Sequence, residues 1–389
     1  DDLALVNPLT NLGTVEYRLK DYPAAEQSYL RAVEILESKS GPADRQLLRP
    51  LQGLGATYLG AERFDVASTT LKRAIDLSRN ADGLFNLEQL AILKPLIAAY
   101  VALDRLSDAD KEHQYAFRVA ENAYGKDDRR LIEPLDYLAR WYEYEGRYTT
   151  ARVLHLRALN IAEAGGHGSL DSVEPLRGIA RTFRLEFLNG PEDAQDTKDI
   201  DPFANTAIPP AFDLNGAVRL NGDGEKALRL ALRALEKAAP ADHSRRGATL
   251  VELGDWYLIA GTVPKALESY RAGWQELNLA NALALVAAPR QLAYRPPPMS
   301  ITRFKGNPNE VDEHYVEARF SVNRDGHVAD VATASTDAPA NVERSVLAAV
   351  KRARYAPRLE NGEPVDTTDV RLREKVLLKH VAEKPPAAK

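Results

Sequence analysis

A repeat of 42 residues is the feature that most constrains the fold of this chain. Leu12 and Ala25 of the first unit recur as Leu54 and Ala67 of the second. A third and a fourth unit keep the step at Leu96, Tyr100, Leu106, Ala109 and Ala116, and then at Leu138, Tyr142, Tyr148, Ala151 and Ala158. Because one helical hairpin cannot bury its own apolar face, such units must stack on their neighbours.

Within each unit the apolar residues follow helical spacing on two segments, separated by a turn such as Lys20-Asp21. Small residues such as Gly13 let the two helices approach closely. We predict a helical array over residues 1–288, with repeats near 7–36, 49–78, 91–120 and 133–162, a broken fifth over 174–239, a later unit over 246–273 and a capping helix over 274–288. Four prolines within Asn189–Asp213 predict a long loop there.

These units resemble tetratricopeptide repeats, which carry Leu-Gly, an aromatic residue and two alanines at fixed spacings. The matching residues are Leu12, Gly13, Ala25, Tyr29 and Ala32 in the first unit, and Leu253, Gly254, Tyr257, Ala266 and Tyr270 in a late one. The 42-residue spacing is similar to the longer repeats of kinesin light chains. The resemblance implies an α-solenoid that binds other proteins along its groove.

After a proline-containing linker over 289–311, the apolar period changes from helical to alternating. Tyr315–Val322 alternates as a half-buried strand does, and Val328–Ser335 returns after a turn. Asn341 is placed to cap a helix, and Val370–Leu378 reads as a last strand. The order β-β-α-β predicts a small α+β domain with an antiparallel sheet over 312–380, followed by a flexible tail over 381–389.

This second region resembles the C-terminal domain of TonB. The matching pieces, in order, are Phe320-Ser321-Val322, Asp325-Gly326-His327-Val328, Arg354-Tyr355-Ala356-Pro357 and Gly362-Glu363-Pro364-Val365. Phe304–Glu313 stands where the family has its Tyr-Pro and Glu-Gly pieces, and the given chain shows no anchor or long proline-rich spacer. The resemblance therefore implies the fold and peptide docking, and energy coupling is not carried over with them.

Two sets of residues are candidates for partner binding. By analogy with the repeats, the first helices line a groove with Asn7, Asn11, Arg49, Gln52, Lys94, Glu133, Asp136, Tyr137 and Arg140. A merely solvated face is the alternative for each of them. By analogy with TonB, the last strand is a sheet edge to which a peptide adds through the backbone of Val370, Arg371, Leu372 and Arg373. The alternative is that the charged side chains of Arg371 and Arg373 protect the edge against strand pairing.

The sequence offers little for catalysis or for a bound metal. It has no cysteine, and its net charge of −5 gives no reason to expect nucleic acid. His113 and His155 lie one repeat apart, but stacked helices stand about 10 Å apart, too far for shared metal ligation, so packing is preferred. Glu133 and Asp136 favour binding over acid–base chemistry, and Gly165–Gly168 lacks a phosphate-loop context. We expect no cofactor, no metal and no enzymatic activity.

The combined interpretation is a periplasmic, non-catalytic scaffold of a Gram-negative envelope. Its partners would be proteins, such as an outer-membrane receptor or a secretion component. The alternative is a TonB-type energy transducer for outer-membrane transport, whose membrane anchor lies before residue 1. No membrane span and no signal peptide are visible in the chain as it starts at Asp1.

Overall fold

The computed structural model describes residues 2–164, 169–190, 222–237, 240–300 and 311–379. The chain divides into two compact units, Asp1–Trp141 and Tyr142–Lys389. Most of the loop predicted over 189–213, the glycine-rich residues 165–168 and the tail predicted over 381–389 lie outside the described residues. Each unit is described by itself.

Helix pairs build the first unit. They are α1 (Val6–Arg18) with α2 (Tyr22–Ser40), α3 (Leu48–Gly60) with α4 (Phe64–Asp82), and α5 (Leu90–Ala102) with α6 (Leu106–Tyr124), followed by the start of α7 (Ile132–Tyr144). The first helices of the pairs all have 13 residues and the second helices 19. First helices begin 42 residues apart, which confirms the period that the sequence predicts.

The connection after α4 illustrates how one repeat leads into the next. Gly83 ends the helix with a φ of 87°, a left-handed conformation that favours glycine. The side chain of Asn86 then accepts a hydrogen bond from the backbone N–H of Glu88 at 2.9 Å, which starts a 3₁₀ turn over Leu87–Gln89. This turn runs directly into α5, so a short polar sequence sets where the next helix begins.

Small residues bring the two helices of a pair together, as predicted. A Cβ atom on Gly13 would lie 3.0 Å from the ring of Tyr29, so any larger residue there would require the ring to shift. Ala25, Leu54 and Ala67 are buried with Tyr29 in one cluster. Leu12, which recurs as the buried Leu54 in the second repeat, is itself 49% exposed.

The second unit continues with helices and then a sheet domain. Its helices are α8 (Tyr148–Ala164), α9 (Val173–Asn189), α10 (Gly222–Glu236), α11 (His243–Ile259) and α12 (Val263–Leu279). α10 packs on α9 although residues 190–221 separate them in sequence, so it supplies the second helix of the repeat that reads as broken. The separate helix predicted over 274–288 is not formed, since residues 274–279 continue α12 and Leu283–Val286 is a 3₁₀ helix.

The C-terminal domain has the predicted β-β-α-β order, with short strands added. Its elements are β1 (Arg290–Ala293), β2 (Val311–Val322), β3 (Val328–Thr336), α13 (Ala340–Lys351), β4 (Arg354–Ala356), β5 (Arg358–Glu360), β6 (Glu363–Val365) and β7 (Thr367–Lys379). The main sheet is antiparallel with the strand order β3-β2-β7, and β1 pairs with β4 and β5 with β6.

The core of this domain follows the predicted alternation. Val316, Ala318 and Phe320 of β2 are buried and pack with Val346 and Val350 of α13. The side chains between them on β2 point to the other face, as the period of two requires. These contacts confirm the prediction of a half-buried strand.

The start of α13 differs from the prediction. Its N-cap is Pro339, with no side-chain capping bond, and Asn341 lies within the first turn instead of capping it. Proline suits a position before a helix because its φ is already restricted.

Strand β1 lies within the segment that the sequence assigns to a linker. Arg290 pairs with Ala356 and Gln291 with Tyr355 in an antiparallel ladder. Further along the same segment, Ser300 forms a bridge to Val376 of β7. The chain therefore enters the sheet domain directly after the last helical repeat.

Candidate protein-binding site

The residues predicted to line a groove lie on the first helices of the four regular repeats. Asn7 and Asn11 are on α1, Arg49 and Gln52 on α3, Lys94 on α5, and Glu133, Asp136, Tyr137 and Arg140 on α7. Two depressions in the first unit bring six of them together. Asn7, Arg49 and Gln52 line one, and Lys94, Glu133 and Tyr137 line the other, whereas Asn11, Asp136 and Arg140 line neither.

The first depression, here called the Arg49 pocket, has a volume of about 450 Å³ and a mixed polar and apolar lining. The Gln52 side chain donates from Nε2 to the carbonyl oxygen of Ala91 at 3.2 Å, which links two successive repeats. Arg45 at the rim is already paired with two carboxylates. Arg49 is exposed, and no carboxylate among the described residues forms an ion pair with it. The pocket thus offers amide groups and one cation.

The second depression, here called the Tyr137 pocket, has a volume of about 250 Å³. Helices α5, α6 and α7 form it together. Its apolar wall consists of Leu90, Ala116, Phe117, Ala120 and Pro134, and three charged residues, Lys94, Arg130 and Glu133, also line it. This mixture of an apolar wall and exposed charges is typical of an anchor point in a protein interface.

His113 forms part of this pocket although the sequence assigns it to packing alone. Its side chain is buried, as predicted, with the imidazole stacked on Trp141 at 4.6 Å and tilted against Tyr137 at 4.9 Å between ring centroids. Burial lowers the pKa of His113 to about 4, so the ring is neutral at physiological pH. Neither ring nitrogen has a hydrogen-bond partner among the described residues.

The two neighbouring carboxylates of α7 have different surroundings. Arg140 donates from Nε to Asp136 at 2.7 Å, one helical turn away, so this carboxylate is neutralised by its own helix. Glu133 instead lies in the lining of the Tyr137 pocket. The arrangement gives each carboxylate its own environment and does not pair them.

His155, the counterpart of His113 in the fourth repeat, is fully buried within the second unit. Its Nε2 lies 3.0 Å from Glu143 Oε1, and Arg181 donates from Nε to the other oxygen at 2.6 Å. Burial alone would raise the pKa of Glu143, but His155 and Arg181 outweigh it and lower the pKa to about 2. A Cβ atom on Gly178 would lie 2.3 Å from the His155 ring, so glycine is needed there. This cluster joins three helices.

The last strand is an edge of the described sheet, as the resemblance to TonB implies. β7 pairs with β2 on one side, with Arg371 opposite Arg319 and Leu372 opposite Ala318. Val370 and Leu372 are half-buried on the core side, whereas Arg371 and Arg373 are exposed. On the outer side, Leu377 donates its backbone N–H to Met299 at 2.8 Å, and no described strand pairs with Val370–Arg373 there.

The exposed charges of β7 contact its neighbour β2. The guanidinium of Arg373 lies 3.8 Å from the ring centroid of Tyr315, and Lys375 is 2.8 Å from Glu313. These contacts hold the side chains over the sheet face. They leave the backbone groups of the outer edge uncovered by those side chains, which is compatible with pairing as well as with protection.

A buried ionic cluster that sequence reasoning missed joins the last repeat to β1. Asp255 of α11 is fully buried and receives hydrogen bonds from Arg290 at 3.0 Å and from the Tyr270 hydroxyl at 2.9 Å. Arg184 of α9 lies 3.8 Å away. Burial and the nearby charge of Asp255 raise the pKa of Tyr270. The sequence did carry a signal for this cluster. The motif Leu253–Leu258 contains an aspartate, Asp255, at the position that Thr14 holds in the first repeat.

The described residues contain no group of three or more metal-ligating side chains. None of the helices in the described part of the chain has both the length and the apolar character needed to cross a membrane.

Helix pairs of this kind, followed by this small sheet domain, define a repeat protein with an appended α+β module. Residues 5–80 match the model of the family described as tetratricopeptide repeat. Residues 313–372 match that described as Gram-negative bacterial TonB protein C-terminal. The chain therefore combines tetratricopeptide repeats with a TonB-type C-terminal domain, and repeats of this type are typically protein-interaction modules. No curated protein matches the sequence significantly.

Solved structures with similar helical arrays share little sequence with this chain. BtubC (BKLC) from P. vanneervenii aligns with a TM-score of 0.44 and 13% identity, covering 66% of this chain and 90% of that one. A putative kinesin light chain from Podospora anserina aligns with a TM-score of 0.43 and 16% identity, covering 62% and 97%.

Proposed function

We propose that this protein is a non-catalytic scaffold of the periplasm that holds two protein partners. The groove of the tetratricopeptide repeats binds one partner, and the outer edge of β7 binds an extended segment of another, such as an outer-membrane receptor or a secretion component. The observation that carries the proposal is the presence of two protein-binding module types in one chain.

Features of both surfaces support this proposal. In the first unit, the Arg49 and Tyr137 pockets contain six of the nine predicted groove residues, including the exposed cations Arg49 and Lys94. In the second unit, β7 is an edge strand over Val370–Arg373. An extended peptide can add to such an edge through backbone hydrogen bonds, with little demand on its sequence.

Site-specific cross-linking in living cells tests the proposal at both surfaces. A photo-reactive amino acid replaces Gln52 or Arg371, and matched controls carry it at Lys72 of α4 or Lys351 of α13, which are both exposed. We expect the groove and edge positions to capture different envelope proteins, and the control positions to capture neither. Capture of cytoplasmic proteins alone, or the same proteins at test and control positions, would contradict the scaffold.

The resemblance to TonB also allows a second function, that of an energy transducer. It predicts that the position of Arg371 captures an outer-membrane receptor and that uptake through this receptor stops in cells lacking the protein. Retained uptake together with specific capture supports the scaffold instead.

A further inference from the structure

We propose that the solvent-facing side of the C-terminal sheet binds the phosphate monoester group of a soluble molecule between Arg319 of β2 and Arg371 of β7, here called the arginine pair. The site uses side chains on the sheet face, so it is independent of strand addition at the outer edge and goes beyond the proposed scaffold function. The strand register, the partners of the two guanidinium groups and the nearby carboxylates each support it.

The strand register places two positive charges side by side. Arg319 is directly opposite Arg371 in the antiparallel ladder, and both side chains are exposed. Leu377 points its N–H away from β2, and amide directions alternate along a strand, so the N–H of Arg371 also points outward and its pair with Arg319 is not hydrogen-bonded. The Cα atoms of such a pair are about 4.5 Å apart, the closer of the two spacings in an antiparallel ladder. Like charges directly opposite each other destabilise a sheet, so an anion bound between them would relieve a repulsion that the folded chain contains.

Neither guanidinium of the arginine pair is held by a close carboxylate. That of Arg319 has no ion-pair or hydrogen-bond partner among the described residues. That of Arg371 lies 3.5 Å from Asp369 and 4.0 Å from Glu317, whereas charge-assisted hydrogen bonds measure about 2.7–2.9 Å. Glu317 itself accepts a hydrogen bond from the hydroxyl of Ser335 at 2.8 Å. The pair therefore has N–H donors available on the open face of the sheet.

The other two cations of β7 on this face are engaged within the sheet. Arg373 is opposite Glu317 in the ladder, and its guanidinium lies 3.8 Å from the ring centroid of Tyr315. Lys375 forms an ion pair with Glu313 at 2.8 Å. Positive charge without a close partner is therefore concentrated at the arginine pair, and these two cations serve as an internal comparison for it.

A phosphate monoester fits the arginine pair in charge and in shape. It carries a charge of about −1.5 to −2 at pH 7 and three acceptor oxygens, and planar guanidinium groups bind such oxygens bidentately. A carboxylate has a single charge and can neutralise only one of the two arginines. Asp369 and Glu317 lie beside the pair and disfavour an extended anionic surface such as a membrane, because that surface would bring further negative charges close to them. One compact dianion is the ligand that this arrangement favours.

Titration of phenyl phosphate with the full chain, followed by phosphorus NMR, tests the inference. We expect saturable binding, and phenyl sulfate, which has a similar shape and a single negative charge, should bind about fivefold more weakly when used as a competitor. Co-sedimentation with phosphatidylglycerol vesicles tests the membrane as a source of the anion, and we expect no more binding than to phosphatidylcholine vesicles. Absence of saturable phenyl phosphate binding, equal affinities for phosphate and sulfate, or binding to the anionic vesicles alone overturns the inference.

Three substitutions to glutamine assign the binding to the arginine pair. Arg319→Gln should weaken phenyl phosphate binding at least about fivefold and, because it removes the like-charge contact, should raise the melting temperature of the ligand-free protein. Lys375→Gln removes a cation from the same face, and Arg344→Gln removes an exposed arginine from α13, which packs on the opposite face; each should change the affinity less than about twofold. Melting curves also show that each variant folds. Unchanged affinity in Arg319→Gln, or a lower melting temperature of that variant without phosphate, contradicts the proposed site.

Discussion

At the scale of single residues, His113 shows how a core position can acquire a second role. The first and second repeats carry Tyr29 and Leu71 at the equivalent position, and both are buried. The fold therefore requires bulk there and has no need of a titratable group. His113 retains that bulk and adds two ring nitrogens next to a pocket.

Burial of His113 predicts a loss of stability in mild acid. Its pKa is about 4 in the folded protein against an ordinary value of 6.5, so between these pH values the unfolded chain binds a proton that the folded one does not. The contribution of His113 to the free energy of unfolding is complete above the pKa that the residue has in the unfolded chain. It decreases as the pH falls towards 4, by up to about 3 kcal/mol.

Urea unfolding of the unaltered protein and of His113→Leu, the residue of the second repeat, checks this effect. We expect the unaltered protein to lose free energy of unfolding relative to the variant as the pH is lowered from about 7 to about 4.5. Parallel pH profiles of the two proteins would show that His113 does not titrate with folding.

Residue identity alone did not distinguish His113 from His155. Both occupy the same repeat position and both are buried, as the spacing predicts. Their partners come from other helices, since His155 meets Glu143 and Arg181, whereas His113 meets aromatic rings and a pocket. Such differences depend on residues that the repeat pattern leaves variable, and packing is needed to see them.

At the scale of elements, β7 has an inner side that pairs with β2 and an outer side, and its backbone N–H groups point alternately to the two sides. Leu377 points its N–H outward to Met299. Because amide directions alternate along a strand, Lys375, Arg373 and Arg371 point their N–H groups to the same outer side. The N–H of Leu372 points inward, to β2.

This alternation predicts that proline has opposite effects at adjacent positions of β7. Arg373→Pro removes an outward N–H and should change the free energy of unfolding by no more than about 1 kcal/mol, while abolishing capture from position 371. Leu372→Pro removes a bond of the ladder with β2 and should destabilise the domain by roughly 2–3 kcal/mol. Arg373→Ala, which keeps the N–H, should retain capture; its loss would mean that the side chain, and not the backbone, binds.

The regular elements were predictable because their signals are periodic and local. The helices of the four regular repeats and strands β2, β3 and β7 all follow from apolar spacing. Strand β1 was not foreseen, because it has four residues beside a proline run and is formed by pairing with β4, far along the chain. The sequence groups residues 174–239 as one broken repeat, but the direct packing of α10 on α9 was not predicted, since 32 residues separate Asn189 from Gly222.

At the scale of the molecule, the sheet domain and the last repeats form one body within the second unit. Leu359 of β5 belongs to the same buried cluster as Trp256 and Tyr270 of the repeats. Arg290, the first residue of β1, reaches the buried Asp255. The sheet domain is therefore anchored to the helices by apolar and ionic contacts and is not a freely tethered module.

This anchoring predicts that one arginine stabilises helices outside its own domain. Arg290→Met leaves the Asp255 carboxylate buried with only Tyr270 and the more distant Arg184, and should destabilise the second unit by about 3 kcal/mol. Arg271→Met breaks the exposed pair with Glu363 between α12 and β6, and should change the stability far less, because solvent screens exposed ion pairs. Hydrogen exchange measures the effect locally. Amides of α11 should exchange faster in Arg290→Met alone, while those of α3 in the first unit stay unchanged. Unchanged protection of α11 would mean that the sheet domain contributes nothing to the repeats, and that the two parts bind their partners independently.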